Sequence, residues 1–328
     1  MTTSSPCLVD IIIPTRNRGA LVDTTITSIR ACYGVNWQLW VLDQSDDDRT
    51  EQCVLRHCAE DDRIHYVRTA SRGISAARNA GCARCTAPLI LFTDDDCRVE
   101  PAWAMMMAAE LVKPAIWAVF GRVLPETLTE LNQAVVVASG GILATKVSTE
   151  RRLYVRSRLD LSFGHGASMG VRREVLQRIG GFDELLGVGA PLRSWEDRDF
   201  GYRIIRAGGQ IVYTPAAVIY HRQWRDWDAV RNAFRQYGLG AGAATGKYMR
   251  CGDLVGAALL AEWIIGQGGR QALSSILKWR SLAKLRVALG QFVYPWYGLL
   301  LSFRYPIDRR HCCYRSSEAI DHVDLLQP

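Results

Sequence analysis

The sequence predicts an α/β protein: a Rossmann-like, mostly parallel sheet flanked by helices, followed by a helical appendage. Three observations carry this. Short β-branched runs alternate with segments of helical spacing between residues 8 and 123, as right-handed βαβ units require. The loops after the strands collect Asp, Arg and Asn, residue types that meet ligands at the carboxyl ends of parallel strands. From Asp226 the alternation gives way to apolar stretches set between basic ones.

The elements follow in order. Residues 8–14 form a first strand, continuous and β-branched, as in sheets covered on both faces. Thr15-Arg-Asn-Arg-Gly19 is a loop, and residues 20–33 are a helix with Leu21, Ile26 and Ile29 at helical spacing, ending near Gly34. Residues 37–43 are a second strand, followed by the acidic loop Gln44-Ser-Asp-Asp-Asp48 and a helix from 50 to 58. Residues 64–67 are a third strand, and 71–81 a loop entering a helix. Residues 88–93 are a fourth strand. A helix over 102–111 stops before Pro114, and 117–123 are a fifth strand. Residues 124–160, with an apolar run at 134–144 and the basic Arg151, Arg152, Arg156 and Arg158, read as an insertion. Residues 163–171 are a Gly-rich strand-like segment. A short helix over 172–179 is stopped by Gly180-Gly181, and 182–191 are a flexible loop. Ser194 is placed to cap a helix with Asp197 three residues on. Residues 211–220 are a last strand that delivers His221.

The fourth strand runs straight into Asp94-Asp95-Asp96-Cys97. Adjacent carboxylates repel unless a cation or solvent relieves them. Carboxylate oxygens suit Mg²⁺ or Mn²⁺, which commonly bridge a few acids to substrate phosphates. A solvated acidic turn is the plainer alternative; the buried strand in front of the triplet argues for a metal–diphosphate site. No Gly-x-Gly-x-x-Gly follows the first strand and no P-loop pattern is present, which disfavours dehydrogenase and P-loop folds.

The 328 residues are 48% apolar, enough for a sizeable core, and the net charge of +7 favours an anionic partner. Ten Cys stand without disulfide-framework spacing, and Cys82-Ala-Arg-Cys85 is a lone CxxC with no second ligand pair. With no secretory signal at the first residues and no run of about 20 apolar residues, the expected location is the cytoplasm, either free or on the cytoplasmic face of a membrane. The basic residues match no nucleic-acid motif, so no nucleic-acid partner is expected.

Ile-Ile-Ile-Pro-Thr-Arg-Asn-Arg, Val41-Leu-Asp-Gln-Ser-Asp, Arg72-Gly-Ile-Ser-x-x-Arg-Asn, Phe92-Thr-Asp-Asp-Asp, Gly-Gly-Phe-Asp-Glu and Trp-Glu-Asp-Arg-Asp occur in this order. Over residues 8–225 the chain therefore resembles a family-2 glycosyltransferase of the GT-A fold. Its acidic Asp46-Asp47-Asp48 loop departs from the more usual Gly/Ser/Thr-rich version. The resemblance implies a catalytic domain at 1–225, with a nucleotide half to about 122 and an acceptor half from about 160. It implies that Pro14, Thr15 and Arg16 wall the base pocket and that Asp43 accepts from a base N–H. It places Arg72 and Arg78 for a diphosphate, with Asn79 bonding locally or to ribose. Asp94 and Asp96 match the family's Asp-x-Asp pair for ribose and metal; Asp95 leaves a second alignment open. His221 resembles a late metal ligand of some members, and a satisfied hydrogen-bonding His is the alternative. Asp197 matches the acceptor-side base, with Glu196 as the fallback. Trp195 is a candidate sugar platform or a core residue, and His165 an acceptor contact or a structural one.

The implied activity is a metal-dependent, inverting transfer from a nucleoside-diphosphate sugar, UDP favoured, to a hydroxyl of a glycan, polysaccharide or lipid-linked saccharide. The competing readings are a non-catalytic nucleotide-sugar-binding or membrane-recruitment module and a sugar-1-phosphate nucleotidyltransferase, whose Gly-rich Lys signature is missing. Residues 226–328 hold two apolar stretches, 254–265 and 287–301, beside Arg270, Lys278, Arg280, Lys284, Arg286 and Arg304. That pattern fits helices lying on an anionic membrane surface, or equally a helical subdomain.

Overall fold

The computed structural model describes residues 7–126, 144–223, 226–278 and 280–315. Almost all of the apolar run at 134–144 lies outside them. The chain packs as two compact units. Of the described residues, 7–126, 144–181 and 200–223 belong to the first, and 182–199 group with the tail in the second.

The first unit is built on one sheet with strand order β3-β2-β1-β4-β8-β6-β9-β5, and with β7 on β9. Strands β1 (Leu8–Thr15), β2 (Asn36–Asp43), β3 (Ile64–Arg68) and β4 (Leu89–Thr93) are mutually parallel. Ile11, Ile12 and Ile13 are all fully buried, as a run covered on both faces must be. Helix α1 (Gly19–Arg30) buries Val22, Ile26 and Ile29. Helix α2 (Arg49–Glu60) buries Cys53 and Val54. Helix α3 (Ile74–Cys82) and helix α4 (Trp103–Leu111) follow, the latter burying Trp103, Met107 and Leu111.

Beyond β4 the direction changes. β6 (Ile116–Pro125) and β9 (Gln210–His221) are parallel to each other, but β8 (Ser168–Arg172) runs antiparallel between β4 and β6. β5 (Cys97–Val99) and β7 (Arg152–Tyr154) are antiparallel on β9. The parallel character thus belongs to the nucleotide half. Strands of three residues are too short to show a period, so neither β5 nor β7 carries a sequence signal. The reversal matters for the site: it sets Ser168 beside Thr93, and β5 sets Cys97 opposite His221. Helix α5 (Arg173–Ile179) ends at Gly180, whose φ of 75° suits glycine.

Helix α6 (Glu196–Arg206) begins in the second unit and continues in the first. The second unit otherwise holds α7 (Trp227–Arg250), α8 (Val255–Ala261), a π-helical stretch (Glu262–Gly269), α9 (Arg270–Leu277), α10 (Leu282–Ser302) and a small hairpin, β10 (Ile307–Asp308) with β11 (Cys313–Tyr314). The small-residue run of α7 is its seam against α10. A Cβ on Gly242 would fall 1.8 Å from the Pro295 carbonyl oxygen, and one on Gly298 1.9 Å from that of Leu239. Backbone meets backbone there, which only glycine permits. Among the described residues no helix is long and apolar enough to cross a membrane.

Candidate active site

The carboxyl ends of β1, β2 and β4 converge because those strands are parallel neighbours. Asp94, Asp95 and Asp96 leave β4 at that edge, where Arg18 meets two of them and Arg78 the third. The Thr15 hydroxyl donates to Asp95 Oδ2 at 2.8 Å, and Arg18 Nη1 donates to Asp95 Oδ1 at 3.0 Å and Asp96 Oδ2 at 3.3 Å. Arg78 Nη2 lies 3.2 Å from Asp94 Oδ1. The triplet's main chain is held from beneath: the Thr25 hydroxyl, on α1, lies 2.9 Å from the Asp95 carbonyl and 2.6 Å from that of Cys97. Burial and the neighbouring Asp96 charge push the Asp95 carboxyl up to about 7, against the pull of Arg18 and Thr15. Crowded, desolvated acids of this kind are relieved by a cation.

Asp96 faces that role most directly. Its Oδ1 is 3.4 Å from His221 Nε2, and ligand atoms of Asp96, Cys97 and His221 lie within 4.8 Å of one another. Both residues are buried. The strand pair β5–β9 makes this cluster, by setting Cys97 across from His221. The donor set of carboxylate and imidazole is one that binds divalent metals. His221 Nδ1 meets Gln223 Nε2 at 3.3 Å, a contact that can orient the ring.

Around this centre the sequence-predicted residues divide. Pro14 and Thr15 are buried, and Thr15 engages the triplet itself. Arg16 and Arg72 are half-exposed, and both pair with Asp46, at 2.9 and 2.7 Å; Asn17 Nδ2 also donates to it. Arg72, Asn17 and Arg16 hold the Asp46 carboxyl well below the usual range. Asp43 is fully buried; Oδ1 accepts from the Ser45 N–H and Oδ2 from the Tyr66 hydroxyl. It therefore caps a turn, and any ligand N–H must use a remaining lone pair. Arg78 is 1% exposed, with its guanidinium against Gly166, where a Cβ would stand 2.7 Å from Nη2. A Cβ on Gly181 would stand 2.4 Å from Asn79 Oδ1. His165 Nε2 lies 3.1 Å from the Thr145 carbonyl.

In the second unit, Glu196 and Asp197 open α6 together with Asp199, where three acids complement the helix dipole. Glu196 is buried, while Asp197 is half-buried and its Oδ1 accepts from the Arg198 N–H at 2.7 Å. The Ser194 hydroxyl, expected as a cap, donates to the Gln236 carbonyl at 2.9 Å. Trp195 is 5% exposed and packs edge-on against Trp263, centroids 5.3 Å apart. Its ring is a core element.

Two residues were missed. Arg18 closes the triplet, and the signal was its place in the β1 loop, one strand from β4. Lys247 is wholly buried between Asp183 and Asp199, at 2.5 and 2.7 Å; nothing near it in sequence marks it.

A continuous sheet with acids at the switch from parallel to mixed order is the architecture of GT-A nucleotide-sugar enzymes. The model of glycosyl transferase family 2 matches residues 10–180, and the chain belongs to that family. A pre-mycofactocin glycosyltransferase of Mycobacterium tuberculosis is 29% identical over 303 residues, 87% of this chain and 59% of the relative. The chain thus spans about three fifths of the length of that relative. A mannosyltransferase from Pyrobaculum calidifontis, solved with GDP-Man and Mn²⁺, superposes with a TM-score of 0.58 at 17% identity, covering 90% of this chain and 88% of that one. GalNAc-T7, solved with UDP, GalNAc and Mn²⁺, gives 0.50 at 14% identity over 73% and 50%.

Proposed function

We propose that the protein is an inverting glycosyltransferase that moves a sugar from a nucleoside-diphosphate sugar to an acceptor hydroxyl with a divalent cation, Mg²⁺ or Mn²⁺. The observation that carries this is the convergence of Asp96 and His221 at the end of the acidic triplet, beside Arg78 and Arg18, in a chain of this family. Asp96 and His221, with Asp94, would hold the metal, which when bound would act as a Lewis acid offsetting charge on the leaving diphosphate. Arg72 and Arg78 are read as diphosphate contacts. Arg78 also pairs with Asp94 at 3.2 Å. Pro14, Thr15, Arg16 and Asp43 form the base pocket, with Asn79 nearer the ribose. Asp197 takes the acceptor proton, and Glu196 is the fallback. UDP is the favoured donor nucleotide; the neighbours' GDP-Man and UDP keep a guanosine donor in the test. A saccharide or lipid-linked saccharide is the acceptor.

The catalytic domain is read as 1–225 and the appendage as 226–328. For the appendage we favour peripheral attachment to an anionic membrane on the cytoplasmic side. Leu277, Leu282, Leu300 and Phe303 are each more than half exposed, and Arg280, Lys284 and Arg304 follow or separate them.

The deciding experiment is a thermal-shift and transfer screen of UDP- and GDP-sugars, with and without Mn²⁺, on the parent and Asp96→Ala. A ligand at about 100 times its dissociation constant stabilises the fold by about 2.7 kcal/mol. The parent should show a metal-dependent shift and sugar transfer, and Asp96→Ala neither. Full activity and an unchanged metal response in both Asp94→Ala and Asp96→Ala would refute the reading.

A further inference from the structure

A second metal-ligating cluster stands between α1 and α2, apart from the acidic triplet. Cys53 and His57 are one helical turn apart, so they share a face of α2, and Asp23 on α1 points at both. His57 Nε2 is 3.0 Å and Cys53 Sγ 3.4 Å from the same oxygen, Asp23 Oδ1. All three ligand atoms lie within 4.8 Å of one another. Cys53 and His57 are buried, while Asp23 is half-exposed.

These separations suit a soft, tetrahedral cation. With Zn–S about 2.3 Å and Zn–N and Zn–O about 2.0–2.1 Å, tetrahedral angles put S and O about 3.5 Å apart and N and O about 3.3 Å apart. The observed edges are within a few tenths of an ångström of those values before any cation draws the ligands into place. Thiolate, imidazole and carboxylate together favour Zn²⁺ over the hard cations that suit an all-oxygen site. The fourth position is left to the solvent side: Cys53 and Asp23 line a cavity of about 630 Å³ shared with Asn17, Arg18, Arg49 and Arg56. Its arginines suit a hydroxide or another anion there.

We infer that Asp23, Cys53 and His57 form a zinc-type site that staples α1 to α2, with its fourth position open to an anionic ligand. On binding, Cys53 loses its thiol proton to solvent as the metal–sulfur bond forms; neutral His57 and the Asp23 carboxylate add their lone pairs. Two anionic ligands then balance the cation's charge. The alternative is a hydrogen-bonded trio, in which Cys53 and His57 both simply donate to Asp23.

Co²⁺ separates the two. Chelator-treated full-length protein is titrated with Co²⁺ alone, and the sulfur-to-cobalt charge-transfer band and tetrahedral d–d bands are followed, then Zn²⁺ is added in competition. One equivalent should produce both features, and Zn²⁺ should erase them. Cys97 also carries a sulfur near His221, so the origin of the band is read from variants. Cys53→Ser should remove the charge-transfer band, and His57→Asn should weaken binding at least tenfold. Asp96→Ala should leave the band intact, whatever becomes of sugar transfer. If circular dichroism shows Cys53→Ser unfolded, Asp23→Asn, neutral and nearly isosteric, takes its place with the same weakening expected. No band in the parent, or a band indifferent to these substitutions, overturns the site.

Discussion

The molecule buries two clusters of carboxylates around basic groups, and they are built for opposite ends. In the first unit Asp94, Asp95 and Asp96 share Arg18 and Arg78, and the cluster is ventilated: the Arg18 side chain is 36% exposed and that of Asp94 25%. In the second unit Asp183, Asp199 and Lys247 are all at 0%. Asp183 Oδ2 accepts in addition from the Tyr314 N–H at 2.9 Å. Both set carboxylates around a shared cation. The difference is access. Where solvent can enter, such a cluster is open to a ligand; where it cannot, the same groups form a fixed scaffold. Burial of charge alone does not mark chemistry.

The widest expected gap comes from removing one basic group of the sealed cluster. Lys247→Met takes the ammonium away from two buried carboxylates, and loss of one partner from a buried network costs about 3–5 kcal/mol. Urea unfolding should register that drop. A midpoint equal to the parent's would mean the cluster is wet, and the contrast would collapse.

Next is Asp197→Asn. Loss of a general base slows turnover by about 10²–10⁴, while calorimetric affinity for nucleoside diphosphate with Mn²⁺ should hold. Glu196→Gln should be milder. Parent-rate transfer by Asp197→Asn with a dead Glu196→Gln would move the base one residue back.

A smaller effect sharpens the open side. Asp96→Ala relieves a crowded set of like charges, so its unfolding free energy without ligand should stay within about 1 kcal/mol of the parent. A loss comparable to that of Lys247→Met would make the triplet a scaffold too.

The smallest is a control on an ordinary pair. Arg151 and then Lys113 hold the Glu110 carboxyl at about 2. A folded value below the unfolded one stabilises above the unfolded value and is lost as pH falls toward the folded one. Here that window runs from the ordinary Glu value near 4.5 down to about 2. Arg151→Gln should flatten the acid limb of stability over this window, by under about 1 kcal/mol because Arg151 is half-exposed. Equal acid limbs in both proteins would remove Arg151 as the cause.

These contrasts follow what the sequence could and could not reveal. β1, β2 and β4 were legible because unbroken β-branched runs admit few other fates, and the triplet stood out because a buried strand leads straight into it, which a solvated acidic turn does not need. β5 was not, being three residues long. The partnership of Asp96 with His221 depends on it, since the β5–β9 pairing sets Cys97 opposite a residue far along the chain. Arg78 was found as a cation but not as a buried one; only Gly166, by leaving room for the guanidinium, decides that. The glycines of α7 have no use visible in sequence; α10 supplies it by lying along them. Lys247 had no local signal at all, because its meaning lies 64 residues upstream in Asp183.

That separation has a consequence for how the chain is made. Synthesis delivers residues 182–199 well before Lys247, and Tyr314 follows 131 residues after Asp183. Domains fold as they emerge, the amino-terminal part first, so the sheet of the first unit can close while Asp183 and Asp199 still lack Lys247. Asp183 and Asp199, which flank the proposed base, thus wait for Lys247, and a nascent chain released early would carry a finished sheet and an acid cluster without its lysine.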